Sequence, residues 1–244
     1  MQILQFTKVL LGFLISYCLF AGDLTLTSKI SGTGPLGKGS GIQVEYLSAT
    51  KKRTNNSATQ IDSLVDFKRG FLYKIDHSQK KIEKLSFKGL QESFKAMDQE
   101  TGVDAMTKMI FGDVSEAKTE DLGSEIFLGR LCNKVRLTVG KWVEDILLDP
   151  HLSSPLDPGK ELEVFSQLPG NAVLFRLKAE KAKLKGVRLR IHQRGVMGID
   201  QIIEVISIHE NPIPSRVWKL PKGYAWIDQG KKEKEEHGKK KKGG

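Results

Sequence analysis

The stretch FLYKIDHSQKKIEKLSF, residues 71–87, reads as a β-hairpin, and its reading sets the fold class. Phe71, Tyr73 and Ile75 share one side of an alternating segment, and DHSQ supplies the polar turn from which the chain comes back. The same period of two recurs upstream. Leu24, Leu26 and Ile30 alternate with Thr25, Thr27 and Ser31. In GIQVEYLSATKKR (41–53) Ile42, Val44 and Tyr46 share a face, and in ATQIDSLVDFKRG (58–70) Ile61, Val65 and Phe67 do. Downstream, SEIFLGRLCNKVRLTVG (124–140) and KWVEDILLDP (141–150) read as two or three strands joined by tight Gly turns. Further strands are expected over 171–181, 185–195 and 198–210, before the closing segment NPIPSRVWKLPKGYAWID (211–228).

Two segments break this pattern. Over 88–111, Leu90, Phe94, Met97, Met106 and Ile110 fall mostly at helical intervals, with Gly102 as a break. DPGKELEVFSQL (157–168) is a short helix candidate, with Asp157 as N-cap and Pro158 at the first helical position. GDVSEAKTEDLG (112–123) reads as a polar link, and no internal repeat is evident. Many sequential strands with short turns imply an antiparallel sheet, not βαβ units. Two helices over its concave face make a single α+β domain, mainly β, across residues 22–229.

The ends of the chain bear on its destination. Residues 1–21 read as a secretory signal peptide: Lys8 precedes an apolar run from Val9 to Ala21, and polarity begins at Asp23. That run suits a leader's core better than a bilayer span, which takes about 20 apolar residues. Cys18 raises lipoprotein acylation, but the bulky Tyr17 before it weighs against that. The expected location is therefore periplasmic or secreted. The mature chain keeps one cysteine, Cys132, in a strand-like setting and expected to be buried. The formal charge of +10 is partly an end effect, because residues 230–244 hold seven Lys and three Glu. That tail has nothing apolar to bury and reads as a disordered, solvated terminus able to touch a membrane surface, with no nucleic-acid partner expected.

Chemistry-bearing motifs are weak. Gly32, Gly34, Gly37 and Lys38 satisfy part of two phosphate-binding patterns, but both patterns need a helix after the loop, and GIQVEYL is a strand. The five histidines, at 77, 151, 192, 209 and 237, occur singly; His192 and His209 lie on adjacent expected strands and could meet across them. No residue argues for catalysis, a metal or a cofactor. The most informative pattern is the apolar alternation itself: Tyr46, Phe71, Tyr73, Leu131, Val135, Leu137, Phe175, Leu189, Ile191, Ile202 and Ile206 are expected on one face of a curved sheet. That face is either an ordinary core or the lining of a hollow for an apolar ligand.

Two stretches carry a family likeness. GSEIFLGRLCNKVRLTVGKWVEDILLDPHL (123–152) resembles the central segment of small secreted bacterial proteins of unknown function: a Leu-Cys pair, an alternating strand, then a Trp-containing strand ending at Pro. Residues 185–227 resemble the ending of the outer-membrane lipoprotein carrier (LolA/LolB-like) superfamily, from a hairpin through Ile213-Pro214 and Trp218 to Leu220-Pro221 and Gly223-Tyr224. The resemblance implies a half-barrel, one strongly curved antiparallel sheet with helices on the concave side, and a cavity for lipoprotein acyl chains. The family's linings are scattered apolar residues, so no site carries over position by position. The expected function is a non-enzymatic envelope protein that binds a lipid or lipoprotein acyl chain. The rival is a periplasmic interaction or sensor module with a filled core and an envelope protein as partner.

Overall fold

The computed structural model describes residues 22–34, 37–90, 92, 112, 117–160, 180–181, 183–195 and 198–228. The expected leader (1–21), the Lys-rich tail (230–244), Phe175 and most of both expected helices lie outside them. So does most of the strand expected over 171–181, of which Glu180 and Lys181 are described and helical. Helical backbone does begin where expected, at Phe87–Leu90 and at Pro158–Lys160, and Asp157 Oδ1 accepts the Gly159 N–H at 2.8 Å as an N-cap does.

Among the described residues, thirteen strands form one sheet. They are β1 (Leu24–Gly34), β2 (Gly37–Lys38), β3 (Gly41–Leu47), β4 (Lys51–Asn56), β5 (Ile61–Asp66), β6 (Phe71–Asp76) and β7 (Lys81–Ser86), then β8 (Ala117–Phe127), β9 (Arg130–Val139), β10 (Trp142–Asp149), β11 (Val187–Arg194), β12 (Asp200–His209) and β13 (Ala225–Asp228). The order is β13-β7-β6-β5-β4-β3-β1-β12-β11-β10-β9-β8, with the short β2 folded back on β1. Hairpins step outward from β1 to β7, and a second series steps inward from β8 to β12, so that β1 lies between the two. Every pairing is antiparallel except the last, β13 alongside β7. Among the described residues the sheet does not close, and β8 and β13 are its two edges.

A structural repeat, not evident in the sequence, organises the first series. Strands β4, β5, β6 and β7 are each six residues long and begin ten residues apart. Asn56, Asp66, Asp76 and Ser86 end them, and the side-chain oxygen of each accepts the backbone N–H three residues on, from Thr59, Arg69, Gln79 and Gly89. Such local bonds favour turns over a continuing strand. The segment 112–123, expected to be a link, is instead strand from Ala117 onward, with a register shift between Asp121 and Ser124. Its polar composition fits an edge strand with no apolar face to bury, and charged residues there discourage pairing with a second chain.

At Gly32 the chain passes so close to β12 that a Cβ would lie 2.1 Å from the Asp200 carbonyl oxygen, and its φ of +101° also excludes other residues. The Gly-rich stretch is therefore a tight hairpin. Strand β3 follows it, and Lys38 pairs with Thr33.

One face of the sheet is covered over β4–β7. On that face, Arg53, Leu64 and Tyr73 form one cross-strand row, and Asp62, Ile75 and Ile82 form the next. The chain after β12 runs over this face as a strap. Arg53 Nη1 donates to the carbonyls of Val217 and Lys219 at 2.8 and 3.0 Å, and His77 Nδ1 meets the Tyr224 hydroxyl at 2.9 Å. Tyr73 packs edge-on against Trp226 of β13.

Candidate ligand-binding cavity

The opposite face encloses a hollow of about 600 Å³. Side chains from β1, β3, β4, β5, β6, β10, β11 and β12 wall it. Laid flat, eight strands at about 4.8 Å spacing would span about 34 Å, so the sheet bends to bring them round one space.

The wall is two-sided in chemistry. Leu148, Leu189, Ile191, Ile203 and Val205 make an aliphatic side on β10–β12. Cross-strand pairs continue it: Ile191 opposes both Ile146 and Ile203. The other side, on β3–β5, is polar. Gln43, Glu45, Thr54 and Ser63 face the space, with Glu45 opposite Thr54 and Thr54 opposite Ser63. Leu47, Lys52, Val65 and Leu72 form the neighbouring row, so Lys52 stands among aliphatic groups. Its ammonium pairs with Glu45 at 3.1 Å.

A buried polar cluster lies beside the hollow. Glu144, 1% exposed, accepts hydrogen bonds from Trp142 Nε1 at 3.0 Å and Gln193 Nε2 at 3.1 Å, and Lys181 Nζ sits 2.5 Å from its second oxygen. Lys181 belongs to the helical piece that leads into β11 and also lines the hollow. Burial pushes its ammonium well below the usual lysine range. Glu144 opposes that shift, while Arg188 and Lys52 add to it by repulsion. One ammonium thus feels groups on β4, β10 and β11, the electrostatic counterpart of the bend. Arg188 owes its place to the shift in β10–β11 register at Leu147/Leu148, which sets it opposite Leu148.

The residues expected along the hollow divide between the faces. Leu189 and Ile191 are in its wall. Val135 and Leu137 oppose Ile146 and Glu144 on the same face and pack in the adjoining cluster around Trp142. Tyr46, Phe71 and Tyr73 fall on the strap-covered face, because their strands turn Glu45, Leu47 and Leu72 to the hollow instead. Ile202 pairs with Ser31 and His192, out of phase with Ile203. Ile206 and Leu131 are 48% and 57% exposed. The strongest alternation in the sequence marks the face that the strap covers, since a sheet apolar on both sides offers two phases. Leu26, Val65, Phe67 and Val205 supply hollow-facing groups that the expected lining did not include.

His192 and His209 do not meet: His192 pairs with Asp200 at 2.7 Å and His209 with Ser207 at 2.9 Å. Among the described residues no group of histidine, cysteine and acidic side chains is arranged to hold a metal ion. Cys132 is fully buried, and burial, before the charges of Asp149 and Glu125, raises its thiol pKa. That keeps it protonated and inert.

No protein-family model matches the chain, and no curated protein matches it in sequence. Solved structures do align with it. An uncharacterized conserved protein from Thermus thermophilus aligns at TM-score 0.50 and 6% identity, over 86% of this chain and 91% of its own. A chain of the complex structure of Pseudomonas aeruginosa MucA/MucB aligns at 0.44 and 8%, over 83% of this chain and 57% of that one. This chain therefore spans little more than half of it. The LolA superfamily protein NE2245 from Nitrosomonas europaea aligns at 0.33 and 9%, over 82% and 91%. The class defined by the fold and its cavity is an open, one-sheet β protein bent round a hollow. The Thermus protein shares the fold.

Proposed function

We propose that this is an exported envelope protein that shelters an apolar ligand, the acyl chain of a lipid or lipoprotein, in the hollow of its sheet. It does so without catalysis or cofactor. The observation that carries the reading is the hollow itself: about 600 Å³ left open against an aliphatic wall, within the size range of small-molecule sites. A filled-core interaction module would leave no such space against its aliphatic wall. Among the described residues no histidine or cysteine lines the hollow, which favours binding over chemistry there. The apolar leader at 1–21 favours export to the periplasm or beyond.

Mass spectrometry of the protein purified from its native host tests the proposal. Native protein should carry copurified lipid. Ile203→Glu, which places a carboxylate on the aliphatic wall, should lose it, whereas Tyr73→Glu on the opposite face should retain it. Loss from both variants, with each still folded by circular dichroism, refutes the assignment of the hollow. Absence of lipid from the native protein refutes the binding reading.

A further inference from the structure

Three cations, Lys52, Lys181 and Arg188, line the hollow among the described residues. Lys52 has Glu45 at 3.1 Å and Lys181 has Glu144 at 2.5 Å. Arg188, also in the wall, has no carboxylate partner among the described residues. All three side chains line the same hollow, and Arg188 and Lys52 both disfavour the charge of the Lys181 ammonium. Lys181 has the Glu144 carboxylate to set against its burial. A guanidinium without a carboxylate partner, beside two further cations, offers an incoming anion both its charge and its paired N–H donors. The aliphatic side on β10–β12 starts next to this region, since Arg188 opposes Leu148 and precedes Leu189.

We propose that the ligand is an amphiphile with an anionic head, a carboxylate or a phosphate, received by Arg188 with Lys181 and Lys52 while its chain lies along the aliphatic wall. This rests on the binding reading above and narrows it to a ligand class. A guanidinium donates two parallel hydrogen bonds to either kind of head, so the two heads share one recognition chemistry.

The test uses the full-length chain and displacement of a pyrene-labelled hexadecanoic acid. The competitors are hexadecanoic acid, hexadecanol, a lysophosphatidic acid of the same chain length, and inorganic phosphate. An anionic amphiphile should compete roughly tenfold to a hundredfold better than hexadecanol, the range expected of hydrogen bonds to a charged group. Inorganic phosphate should not compete, having no chain. Whichever of the acid and the phosphate lipid competes better identifies the head. Arg188→Gln should erase most of the preference, and Arg188→Lys should restore part of it. Equal competition by acid and alcohol overturns the head-group assignment but leaves the apolar hollow standing, as does a preference that survives Arg188→Gln. If neither the probe nor any competitor binds, the hollow reading and this inference fall together. Circular dichroism of each variant reports that the fold is intact.

Discussion

Replacing Arg53 with Met should release the strap from the sheet. Arg53 and Asp62 are a nearly buried pair, 10% and 8% exposed, at 3.0 Å. The guanidinium also donates to the Val217 and Lys219 carbonyls and to Asn55 Oδ1. A methionine fills the stem's volume but leaves the Asp62 carboxylate with His77 Nε2 at 3.0 Å and the Asn56 N–H at 3.3 Å. Breaking a buried ion pair from one side costs about 3–5 kcal/mol. The remaining partners of Asp62 put this case near the lower end, about 3 kcal/mol. The two freed carbonyls can reach water only if the strap lifts, which costs the pairing of β13 with β7. Urea denaturation reads the first effect and amide hydrogen exchange at Ala225–Asp228 the second, since Ala225 N–H donates to the Lys80 carbonyl in the native fold. Arg53→Met with Asp62→Asn should recover about 1–2 kcal/mol relative to the single change, because no buried charge is then left alone. A single variant within about 0.5 kcal/mol of the parent, the range of an ordinary surface change, would refute the view that this pair holds the strap. Unchanged exchange at β13 would refute it equally.

Three further outcomes follow from the geometry. Leu128 is the first residue of a two-residue hairpin turn at φ +51°, followed by Gly129 at +72°, and is 47% exposed. Leu128→Asn should therefore raise stability by about 0.5–1 kcal/mol in thermal denaturation, and a loss would show that the leucine is packed. Asp145 is held below the usual aspartate range, first by its hydrogen bond to Arg136 and then, against the opposing effect of burial, by Arg194. Its contribution is complete above the unfolded pKa of 3.8 and fades as pH falls through the lower folded value. Asp145→Asn should thus cost about 1 kcal/mol at neutral pH, Arg136 and Arg194 being 37% and 42% exposed, and should flatten the acid limb of the stability–pH curve. An unaltered acid limb in urea titrations at pH 2–5 would contradict this. Filling the hollow from its polar side, with Thr54→Trp and Ser63→Trp together, should expel bound lipid while the protein stays folded. Retained lipid in mass spectra would place the ligand elsewhere.

The hairpin at 71–87 shows what was legible and what was not. Its strands, its turn and its antiparallel pairing follow from local chemistry: alternation, a polar four-residue turn, and Asp76 to close it. Which of its faces meets the hollow does not follow from local chemistry. Phe71, Tyr73 and Ile75 are the larger apolar set, and size alone points them at the main cavity. They lie instead under the strap, whose docking depends on residues more than 140 positions away in sequence, such as Tyr224 against His77. Strand β4, KKRTNN, was invisible for a related reason. It has no apolar residue to announce a strand, and it exists because β3 and β5 flank it and because Arg53 and Lys52 each find a carboxylate, one on either face.

The ten-residue period was present in the chain all along, carried by Asn56, Asp66, Asp76 and Ser86, but it is a period of turn closers and not of apolar residues. A search for hydrophobic self-similarity passes over it. Only one of the turns ends in glycine; Gln60 and Lys80 take the same positive φ as Gly70. The candidate site was hidden in the same way. Its aliphatic wall was partly foreseen in Leu189 and Ile191, which lie on strands whose alternation is simple. Its charged end was not, because Lys52, Lys181 and Arg188 are 136 positions apart at the extremes and each reads alone as a solvated side chain. Folding eight strands round one space brings three ordinary cations together beside an aliphatic wall, and the proposed choice of an anionic amphiphile over a neutral one rests on that gathering.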